Sequence, residues 1–576
     1  MSDYMREYQH WLDSPALSES EWKELDSIKN DEEEIKSRFF APLEFGTAGL
    51  RGIMGLGIRR MNKHVICHVT QAFAEVIAAE GENAKSKGVV ICYDCRESSE
   101  YFARSAASIM AANGIHVRIF DELRPTPELS FAIRRYKAIA GINITASHNP
   151  REYNGYKVYW SDGAQLPPNH AASVAKVMSE IDIFTGIHKM DYDKAVQEGL
   201  IEIIGAETDE EFLEKVLAQS IDRDALSRVS DDFKIVYTPF HGCGHKLVPE
   251  ALHRLGVRHV LPVPEQMVID GSFPTVKSPN PEEPDGFYLA LDLAEKENCN
   301  LIIGTDPDCD RVGIMARDKD GNFVMISGNE IGVLLLDYII SARRRKGSLP
   351  ENAAAIKTIV TTEMAREVAN RNGIHIEDTF TGFKFMAEKL AQFEREKSYE
   401  YLLAYEESNG YMMGDYVRDK DAVTASMMIA EMAAYYHKKG QSLSDAMESL
   451  YEKYGFYGEK TLNLIMPGLD GLEKMKNLMT SLRNAPPSEI SGVKVLRERD
   501  YETGKISVPS LGYVDKTEIS GSNVLYFELE DESSFIIRPS GTEPKIKIYI
   551  LVKGKSRDDC NEKLKKYEEF AQTLGK

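Results

Sequence analysis

Short apolar runs alternate with amphipathic, helix-like segments along most of this chain of 576 residues. The runs at 88–94, 138–144, 300–306 and 401–407 are of strand length, and neighbouring segments such as 97–114 have helical character. Apolar runs of this length between helices predict parallel sheets that are covered by helices on both faces. The sequence therefore predicts an α/β fold.

The alternating pattern restarts several times, and one hydrophobic core rarely covers a chain of this length. We therefore predict three α/β domains at 1–206, 207–324 and 325–454. The remaining residues, 455–576, contain extended stretches followed by one helix-like segment, which predicts a smaller α+β domain. The charged stretch 207–229 predicts an exposed helix that links the first two domains.

The composition limits the partners of the chain. The formal net charge is −21, and an acidic surface repels nucleic acid and anionic membranes, so we expect neither as a partner. A phosphorylated substrate would need a local basic pocket. The polar N-terminus has no signal-peptide core and no apolar run has the length of a membrane span, which predicts a cytoplasmic protein. Seven cysteines in a long chain do not indicate a secreted disulfide scaffold.

The segment TASHNP at 145–150 follows an apolar run and contains Ser147. Pro150 restricts the residue before it to extended backbone, which stiffens the loop. A serine hydroxyl in such a loop can be a nucleophile or carry a phosphoryl group if a base or a metal activates it. Taken alone, these six residues favour a simpler interpretation, in which the hydroxyl caps a turn.

Asp306, Asp308 and Asp310 directly follow another apolar run. Carboxylates at alternate positions face one side of an extended chain, where they repel one another unless a cation lies among them. Oxygen ligands select a hard cation, Mg²⁺ or Ca²⁺. An EF-hand is excluded because Arg311 and Arg317 occupy the positions of its glycine and its last glutamate. We expect a metal site here rather than a solvated acidic turn.

Two further loops have the composition of binding sites. Residues 405–410 combine carboxylates, a hydroxyl and a glycine, which suits adjacent sugar hydroxyls, although a charged turn more commonly explains this composition. Residues 538–545 combine Arg538 with two hydroxyls and a glycine, and end at Lys545, with Lys547 just beyond. An arginine fork and exposed backbone N–H groups form a phosphate cradle. In so acidic a chain, three nearby cations favour an anion site over an ordinary turn.

Taken together and in this order, the four segments resemble those of the α-D-phosphohexomutase superfamily over nearly the whole chain. The resemblance implies three related α/β domains and a smaller C-terminal α+β domain around a central cleft. Further matches are the loop GTAGLRG at 46–52, the segment NGYK at 154–157 and the loop TGFK at 381–384. The last of these resembles a loop of phosphoglucomutase-like members.

The resemblance also implies a role for each matching residue. The metal ligands that it implies for Mg²⁺ are Ser147, Asp306, Asp308 and Asp310. The catalytic residues that it implies are Ser147, Arg51, His148 and Lys157. Ser147 carries the phosphoryl group, and Lys157 ranks ahead of His148 as the candidate general base. The substrate-binding residues that it implies are Arg311, Thr381, Gly382, Glu406, Ser408, Arg538, Ser540, Gly541, Thr542, Lys545 and Lys547.

The implied reaction is an intramolecular phosphoryl transfer by an enzyme of the isomerase class. The phosphoserine would convert a sugar phosphate into a bisphosphate, which turns over and rephosphorylates the serine from its other end. Because residues 406–408 resemble the E-E-S loop of phosphoglucomutases, we expect interconversion of glucose 1-phosphate and glucose 6-phosphate. Glucose 1,6-bisphosphate would then be both intermediate and activator. A phosphomannomutase or a phosphopentomutase of the same superfamily is the alternative.

Two other classes of protein are weaker alternatives. A sugar phosphatase would use the same serine and metal and release phosphate to water. A noncatalytic sensor would bind a sugar phosphate without converting it, but every implied chemical position is filled in this chain. For the main hypothesis we expect a small-molecule phosphosugar substrate and a monomer or a homodimer.

Overall fold

A computed structural model describes residues 2–227, 229, 232–466, 471–509, 511–540 and 545–574. The described residues form two compact units. The first unit comprises those within Met1–Gly328, Ala387–Ala391 and Ser408–Leu443. The second unit comprises those within Asn329–Met386, Gln392–Glu407 and Ser444–Lys576.

The N-terminal part of the first unit contains one sheet with its helices. Its elements are α1 (Asp3–Leu12), α2 (Glu19–Ser27), α3 (Glu32–Phe39), β1 (Leu50–Ile53), α4 (Lys63–Ala79), α5 (Glu82–Lys87), β2 (Val89–Tyr93), α6 (Ser99–Ala112), β3 (Val117–Phe120), α7 (Thr126–Tyr136), β4 (Ala140–Ile144), β5 (Tyr153–Trp160), α8 (Pro168–Glu180), α9 (Tyr192–Gln197) and β6 (Ile201–Ile204). Local capping defines where helices start: the Asn62 side chain accepts from two backbone N–H groups at the beginning of α4.

This first sheet has the strand order β1-β5-β4-β2-β3-β6. Strands β2, β3, β4 and β6 run parallel, and every residue of β2 and β4 is buried, as expected for strands covered on both faces. Strand β5 is antiparallel to β4, which differs from the all-parallel prediction. The reason is that residues 145–152 alone join β4 to β5, and such a short loop cannot contain a crossover helix.

The next part of the first unit contains a second mixed sheet, in the order β11-β10-β9-β7-β8. Its elements are α10 (Ala206–Leu217), α11 (Asp224–Ser227), β7 (Lys234–Thr238), α12 (Gly244–Leu255), β8 (His259–Pro262), a 3-10 helix (Pro284–Phe287), α13 (Tyr288–Lys296), β9 (Leu301–Thr305), β10 (Val312–Arg317) and β11 (Phe323–Ile326). Strand β9 is fully buried and parallel to β7, whereas β10 returns antiparallel to β9.

The prediction of an exposed linking helix at 207–229 is only partly correct. Helix α10 does form there, but Phe212, Leu213 and Val216 on one of its faces are buried. The helix is amphipathic, since these three positions follow the spacing of a helix face, and the charged residues around them conceal that stripe in the sequence.

The next elements along the chain, after β11, are α14 (Gly328–Lys346), β12 (Ala353–Thr358), α15 (Met364–Asn372), β13 (His375–Thr379), α16 (Phe383–Glu396), β14 (Glu400–Glu406), β15 (Gly410–Met412), α17 (Ala422–His437) and α18 (Leu443–Tyr454). In the second unit, β12 lies between β13 and β14 and is parallel to both. Every residue of β12 is buried. This is the third α/β layer that the alternating pattern predicts.

The C-terminal part of the second unit has a different architecture. Its elements are β16 (Phe456–Ile465), α19 (Gly471–Asn484), β17 (Glu489–Ile490), β18 (Val493–Asp500), β19 (Lys505–Val508), β20 (Gly512–Lys516), β21 (Leu525–Leu529), β22 (Ser534–Pro539), β23 (Lys545–Gly554) and α20 (Arg557–Thr573). The strands pair antiparallel in the order β16-β23-β22-β21-β18-β19-β20, and β17 pairs with β18. An antiparallel sheet with helices agrees with the predicted α+β domain.

Within the described ranges, no helix combines the length and the apolar character that crossing a membrane requires.

Candidate active site

Ser147 lies in the loop between β4 and β5, where its backbone adopts the left-handed region with a φ of 53°. Its N–H donates to the Thr145 hydroxyl oxygen at 2.8 Å, which fixes the turn. Ser147 is 4% exposed. Its hydroxyl donates to Asp306 Oδ2 at 2.8 Å and lies 3.2 Å from His148 Nδ1. The serine hydroxyl therefore contacts the predicted metal site instead of capping a turn.

The three aspartates form one buried cluster in the loop between β9 and β10. One carboxylate oxygen from each of Asp306, Asp308 and Asp310 lies within 4.8 Å of the other two. Asp306 Oδ1 also accepts from the backbone N–H groups of Asp310 and Arg311, at 3.0 and 2.9 Å. Cys309 has a φ of 52°, which turns the chain back between the second and third aspartates. The loop thus converges its carboxylates on one point.

The charges of the cluster explain its unequal pKa values. Burial, together with the charges of Asp308 and Asp310, raises the pKa of Asp306 well above its ordinary value. Burial also opposes the charged form of Asp308, but the Lys157 ammonium lowers the pKa of Asp308 below its ordinary value. Among the described residues, buried Asp308 Oδ1 and Asp310 Oδ1 have no hydrogen-bond partner. Two such oxygens beside a third carboxylate are the donor set of a hard cation, so these residues fit a metal ion.

Two lysines contact the same aspartates. Lys157 on β5 places Nζ 2.6 Å from Asp308 Oδ2 and 3.4 Å from Asp310 Oδ2. Burial opposes the Lys157 ammonium, but the two aspartates raise its pKa above its ordinary value, so Lys157 is a cation at neutral pH. Lys420 places Nζ 3.2 Å from Asp310 Oδ2 and 3.1 Å from Asp419 Oδ1. Lys420, which lies just before α17, was not predicted from the sequence.

Arg51 and His148 flank the serine loop. Arg51 is on β1, opposite Gly155 of β5, and its Nη1 donates to Asn149 Oδ1 at 2.8 Å. Burial lowers the pKa of His148 well below its ordinary value, and the nearby Arg311 and Arg51 lower it further. The His148 imidazole beside the Ser147 hydroxyl is therefore neutral.

Arg311 follows the acidic cluster and is half-buried. Its Nη1 donates to Glu282 Oε1 at 2.9 Å, and its Nε lies 3.9 Å from Asp310 Oδ1. The predicted residues Ser147, Asp306, Asp308, Asp310, Lys157, His148, Arg51 and Arg311 are thus brought together within the first unit.

Two further residues, Thr126 and Arg96, contact the acidic cluster or the Ser147 loop and were not predicted from the sequence. Thr126 begins α7, and both its N–H and its hydroxyl donate to Asp308, at 2.8 Å each, the first to the backbone oxygen and the second to Oδ2. Arg96 donates to backbone oxygens of the Ser147 loop. A signal existed for Arg96: it follows β2, and polar residues after neighbouring parallel strands meet at one edge of a sheet.

In the second unit, the predicted sugar-binding loops meet each other. The Gly382 N–H donates to Glu406 Oε1 at 2.6 Å, which joins the loop before α16 to the end of β14. Gly382 has a φ of 116°, a conformation that favours glycine. Thr381 is half-buried beside it. Ser408, also half-buried, belongs to the first unit by its contacts, although only Glu407 separates it in sequence from Glu406.

The predicted phosphate loop lies between β22 and β23 in the second unit. The antiparallel register sets Arg538 directly opposite Lys547, and Lys545 lies two residues away, on the same face of β23. The Ser540 N–H donates to the Lys545 backbone oxygen at 2.8 Å. These residues therefore form one half-buried basic group at the end of the hairpin. Two predicted residues of this loop, Gly541 and Thr542, lie outside the described residues.

Family models match most of the chain in three consecutive blocks. The models for α/β/α domains I, II and III of phosphoglucomutase/phosphomannomutase match residues 42–183, 210–321 and 327–454. The chain belongs to the phosphoglucomutase/phosphomannomutase family. The predicted resemblance to the α-D-phosphohexomutase superfamily is confirmed, and the protein is a mutase, an enzyme of the isomerase class.

Curated relatives extend the similarity beyond these three domains. A phosphoglucomutase of Staphylococcus saprophyticus is 35% identical over 558 residues, which is 96% of this chain and 97% of that protein. A phosphoglucomutase of Staphylococcus aureus is 35% identical over 92% of this chain and 93% of its own.

Solved structures of lower identity share the fold. The open form of the phosphoglucomutase parafusin from Paramecium has a TM-score of 0.67 at 18% identity, covering 92% of this chain and 96% of its own. A phosphoglucomutase/phosphomannomutase family protein from Burkholderia thailandensis has a TM-score of 0.64 at 17% identity, covering 92% and 97%.

Proposed function

We propose that this mutase interconverts glucose 1-phosphate and glucose 6-phosphate through a phosphoserine at Ser147 and a glucose 1,6-bisphosphate intermediate. The observation that carries the proposal is the contact of 2.8 Å between Ser147 Oγ and Asp306 Oδ2, inside a buried carboxylate cluster with lysine counter-charges. The naming of curated relatives as phosphoglucomutases supports glucose over mannose or a pentose.

In the forward step, a free hydroxyl of the sugar phosphate attacks phosphorus while the bond from phosphorus to Ser147 Oγ breaks. The hydroxyl proton passes to a base, for which Lys157 and His148 are the candidates, and a proton returns from that base to the departing Ser147 oxygen, so the step ends with a serine hydroxyl and a free base. Lys157 must first lose its own ammonium proton to act as this base. The transferred group carries negative charge throughout, so positioned cations lower the barrier most. Lys420, Arg51 and Arg96 are among the cations of the first unit near this loop, and Lys157 is another when His148 is the base.

For the metal we propose Mg²⁺, held by Asp306, Asp308, Asp310 and an oxygen on Ser147. A bound Mg²⁺ supplies charge neutralisation at the phosphoryl oxygens. This proposal is supported by the buried oxygens of the three aspartates, which lie close to one another, and by two of them that have no hydrogen-bond partner among the described residues.

For the substrate we propose two groups of ligands. Glu406 and Ser408, with Thr381 and Gly382 beside Glu406, would bind the sugar hydroxyls. The nontransferred phosphate would bind Arg538, Ser540, Lys545 and Lys547 of the basic group, together with Gly541 and Thr542, which are proposed from the sequence alone. Arg311 would assist at the rim of the acidic cluster. Charge-assisted hydrogen bonds from an arginine fork suit a phosphate dianion.

The domain boundaries 1–206, 207–324, 325–454 and 455–576, a cytoplasmic location and a monomeric or homodimeric state also belong to this proposal. Size-exclusion chromatography with light scattering would measure the oligomeric state, and limited proteolysis would map the boundaries.

The decisive variant is Ser147→Ala, with Ser173→Ala on the exposed face of α8 as the matched control. Ser147→Ala should lower mutase turnover at least about 1,000-fold, because the covalent carrier is removed, while circular dichroism stays unchanged. Turnover within tenfold of the wild type would contradict the proposal. Assays with glucose, mannose, ribose and glucosamine phosphates decide the sugar, and release of free phosphate in step with substrate loss would instead identify a phosphatase.

A further inference from the structure

Arg96 is a buried arginine whose guanidinium binds the backbone of the Ser147 loop. It lies in the loop between β2 and α6 and is 3% exposed. Its Nη1 donates to the backbone oxygens of Pro150 and Tyr153 at 2.9 and 3.0 Å. Its Nη2 donates to the backbone oxygens of Ser147 and Asn149. One side chain thus donates to four backbone oxygens: three lie in the loop that contains Ser147, and the fourth is that of Tyr153, the first residue of β5.

Other contacts fix Arg96 in this position. Its Nε lies 3.3 Å from Asp94 Oδ2, and its guanidinium carbon lies 5.0 Å from the ring centroid of Phe273. Asp94 in turn accepts from the hydroxyl of Ser99 at 2.8 Å. Asp94 Oδ1 also accepts from the Arg96 backbone N–H at 2.9 Å. Asp94 therefore contacts both the backbone and the guanidinium of Arg96, while the Thr145 hydroxyl separately accepts the Ser147 N–H.

The Ser147 backbone needs such support. A φ of 53° is a left-handed conformation that non-glycine residues rarely adopt, and it persists where surrounding groups fix it. Carbonyl groups that point to one side of a turn repel one another unless a donor lies among them. The planar guanidinium has five N–H donors in a fixed fork, whereas a lysine ammonium is a compact point charge with three donors.

We propose that Arg96 is a positioning residue that aims the Ser147 oxygen at the acidic cluster for phosphoryl transfer. The inference rests on the proposed role of Ser147 and extends it to a residue for which no contact is found, among the described residues, with the predicted substrate ligands or with Asp306, Asp308 and Asp310. Arg96 acts through geometry: its four bonds hold the loop so that Ser147 Oγ lies 2.8 Å from Asp306 Oδ2. A misplacement of about 1 Å in a reacting group can lower a rate about 100-fold.

The test compares Arg96→Ala, Arg96→Lys and Arg96→Gln with the wild type. The matched control is Arg317→Ala, because Arg317 also bridges backbone oxygens, those of Cys299 and Gly321, but lies at the far end of β10. Each protein is measured for kcat and KM, for thermal unfolding, and for the single-turnover rate at which phosphorylated Ser147 gives its phosphoryl group to glucose 1-phosphate.

We expect Arg96→Ala to lower kcat and the single-turnover rate about 100-fold with KM within about threefold, because the reacting atom and not the substrate is displaced. Arg96→Lys keeps the charge but not the fork, so it should lose about tenfold or more. Added guanidinium ion should partly restore Arg96→Ala and leave Arg317→Ala unchanged. The control should lose thermal stability without losing kcat.

Three results would overturn the inference. Full activity of Arg96→Lys would show that charge alone matters, and a loss confined to thermal stability or to KM would show a purely structural or binding role. If Arg96→Ala does not fold, Arg96→Lys and Arg96→Gln carry the test, and equal turnover of both with the wild type overturns it. Ser147→Ala, measured in parallel, separates the two proposals: an active Ser147→Ala refutes the phosphoserine, whereas an inactive Ser147→Ala beside a fully active Arg96→Ala refutes only the role of Arg96.

Discussion

In the first unit Ser147, Lys157 and the three aspartates are buried and hydrogen-bonded to one another, whereas in the second unit the basic group proposed to bind phosphate is half-buried at the end of a hairpin. Asp306 and Asp308 are 0% exposed, and Ser147 is 4% exposed. Arg538, Lys545 and Lys547 are all of intermediate exposure. With the roles proposed above, the difference separates two kinds of group: those at the reacting bond are fixed before the substrate arrives, and those proposed to bind the substrate keep an accessible surface.

The largest effect should come from the aspartate cluster. Asp308→Asn preserves shape but removes the charge that pairs with Lys157 and fits a cation. We expect turnover to fall at least about 1,000-fold, since metal-assisted charge stabilisation contributes several kcal/mol. A coupled assay measures the loss of turnover, and a calorimetric Mg²⁺ titration measures the accompanying loss of metal affinity.

Asp318→Asn is the matched control for this change, because Asp318 lies in a turn after β10 and its side chain accepts from the nearby backbone N–H groups of Asp320 and Asn322. It should retain turnover and metal affinity. Turnover of Asp308→Asn within tenfold of the wild type, at unchanged Mg²⁺ dependence, would refute the proposed metal site.

The next effect separates the two candidate bases. Lys157→Met removes a cation from Asp308 and Asp310, so we expect turnover to fall about 100-fold or more. Breaking a buried ion pair should also lower the free energy of unfolding by about 3 kcal/mol. His148→Gln should lower turnover less than about tenfold, since Gln can retain a contact with Ser147 Oγ. Steady-state kinetics and urea unfolding of both variants check this, and the reverse order of turnover would identify His148 as the base.

Substitution of a proposed phosphate ligand in the second unit should raise KM. Arg538→Ala removes a charge-assisted contact to the substrate phosphate, worth about 1.5–3 kcal/mol, so KM should rise about 10- to 100-fold. Because Arg538 is half-buried on β22, we expect kcat within about threefold and little change in stability. Arg497→Ala, at an exposed position of β18 in the same unit, is the control. A fall in kcat with unchanged KM would contradict the separation of reacting groups in the first unit from substrate-binding groups in the second.

The smallest effect concerns a buried carboxylate in the second unit that lacks the lysine partners of the first. Glu498 is 7% exposed, and burial, aided by Asp500, raises its pKa from 4.5 to about 7. The folded protein therefore holds this proton at a pH where the unfolded chain has released it, so stability decreases as pH rises from about 4.5 to about 7. We expect Glu498→Gln to be more stable than the wild type at pH 8 by about 1–3 kcal/mol. Urea unfolding at pH 5 and pH 8 measures this, and an equal difference at both values would contradict the assignment.

The sequence was sufficient for residues whose chemistry is local. The aspartates alternate directly after an apolar run, so a shared carboxylate site at a sheet edge was predictable from their spacing, although a left-handed turn at Cys309 and not an extended chain brings them together. The α/β repeats and the C-terminal α+β part were likewise visible in the pattern of apolar runs. Ser147 was ambiguous by itself, since a turn serine has the same neighbours.

The sequence was insufficient where a role depends on tertiary neighbours. Thr126 and Lys420 reach the site because strand order and helix packing bring separate loops together, and no spacing rule encodes that order. Arg96 had a signal in its place after β2, but its contacts with the Ser147 loop were not predictable from the sequence. The antiparallel return of β5, which places Lys157 beside Asp308, was missed because the apolar pattern of a strand does not state its direction.

The most direct test of the central claim is a single-turnover chase of protein that carries labelled phosphate on Ser147. The phosphorylated protein is mixed with unlabelled glucose 1-phosphate and Mg²⁺, quenched at intervals, and analysed by mass spectrometry of the Ser147 peptide and of the sugars. We predict that the label leaves Ser147 at least as fast as steady-state turnover and appears in glucose 1,6-bisphosphate. Active protein without phosphate on Ser147, or label that appears as inorganic phosphate at the rate of turnover, would contradict the account.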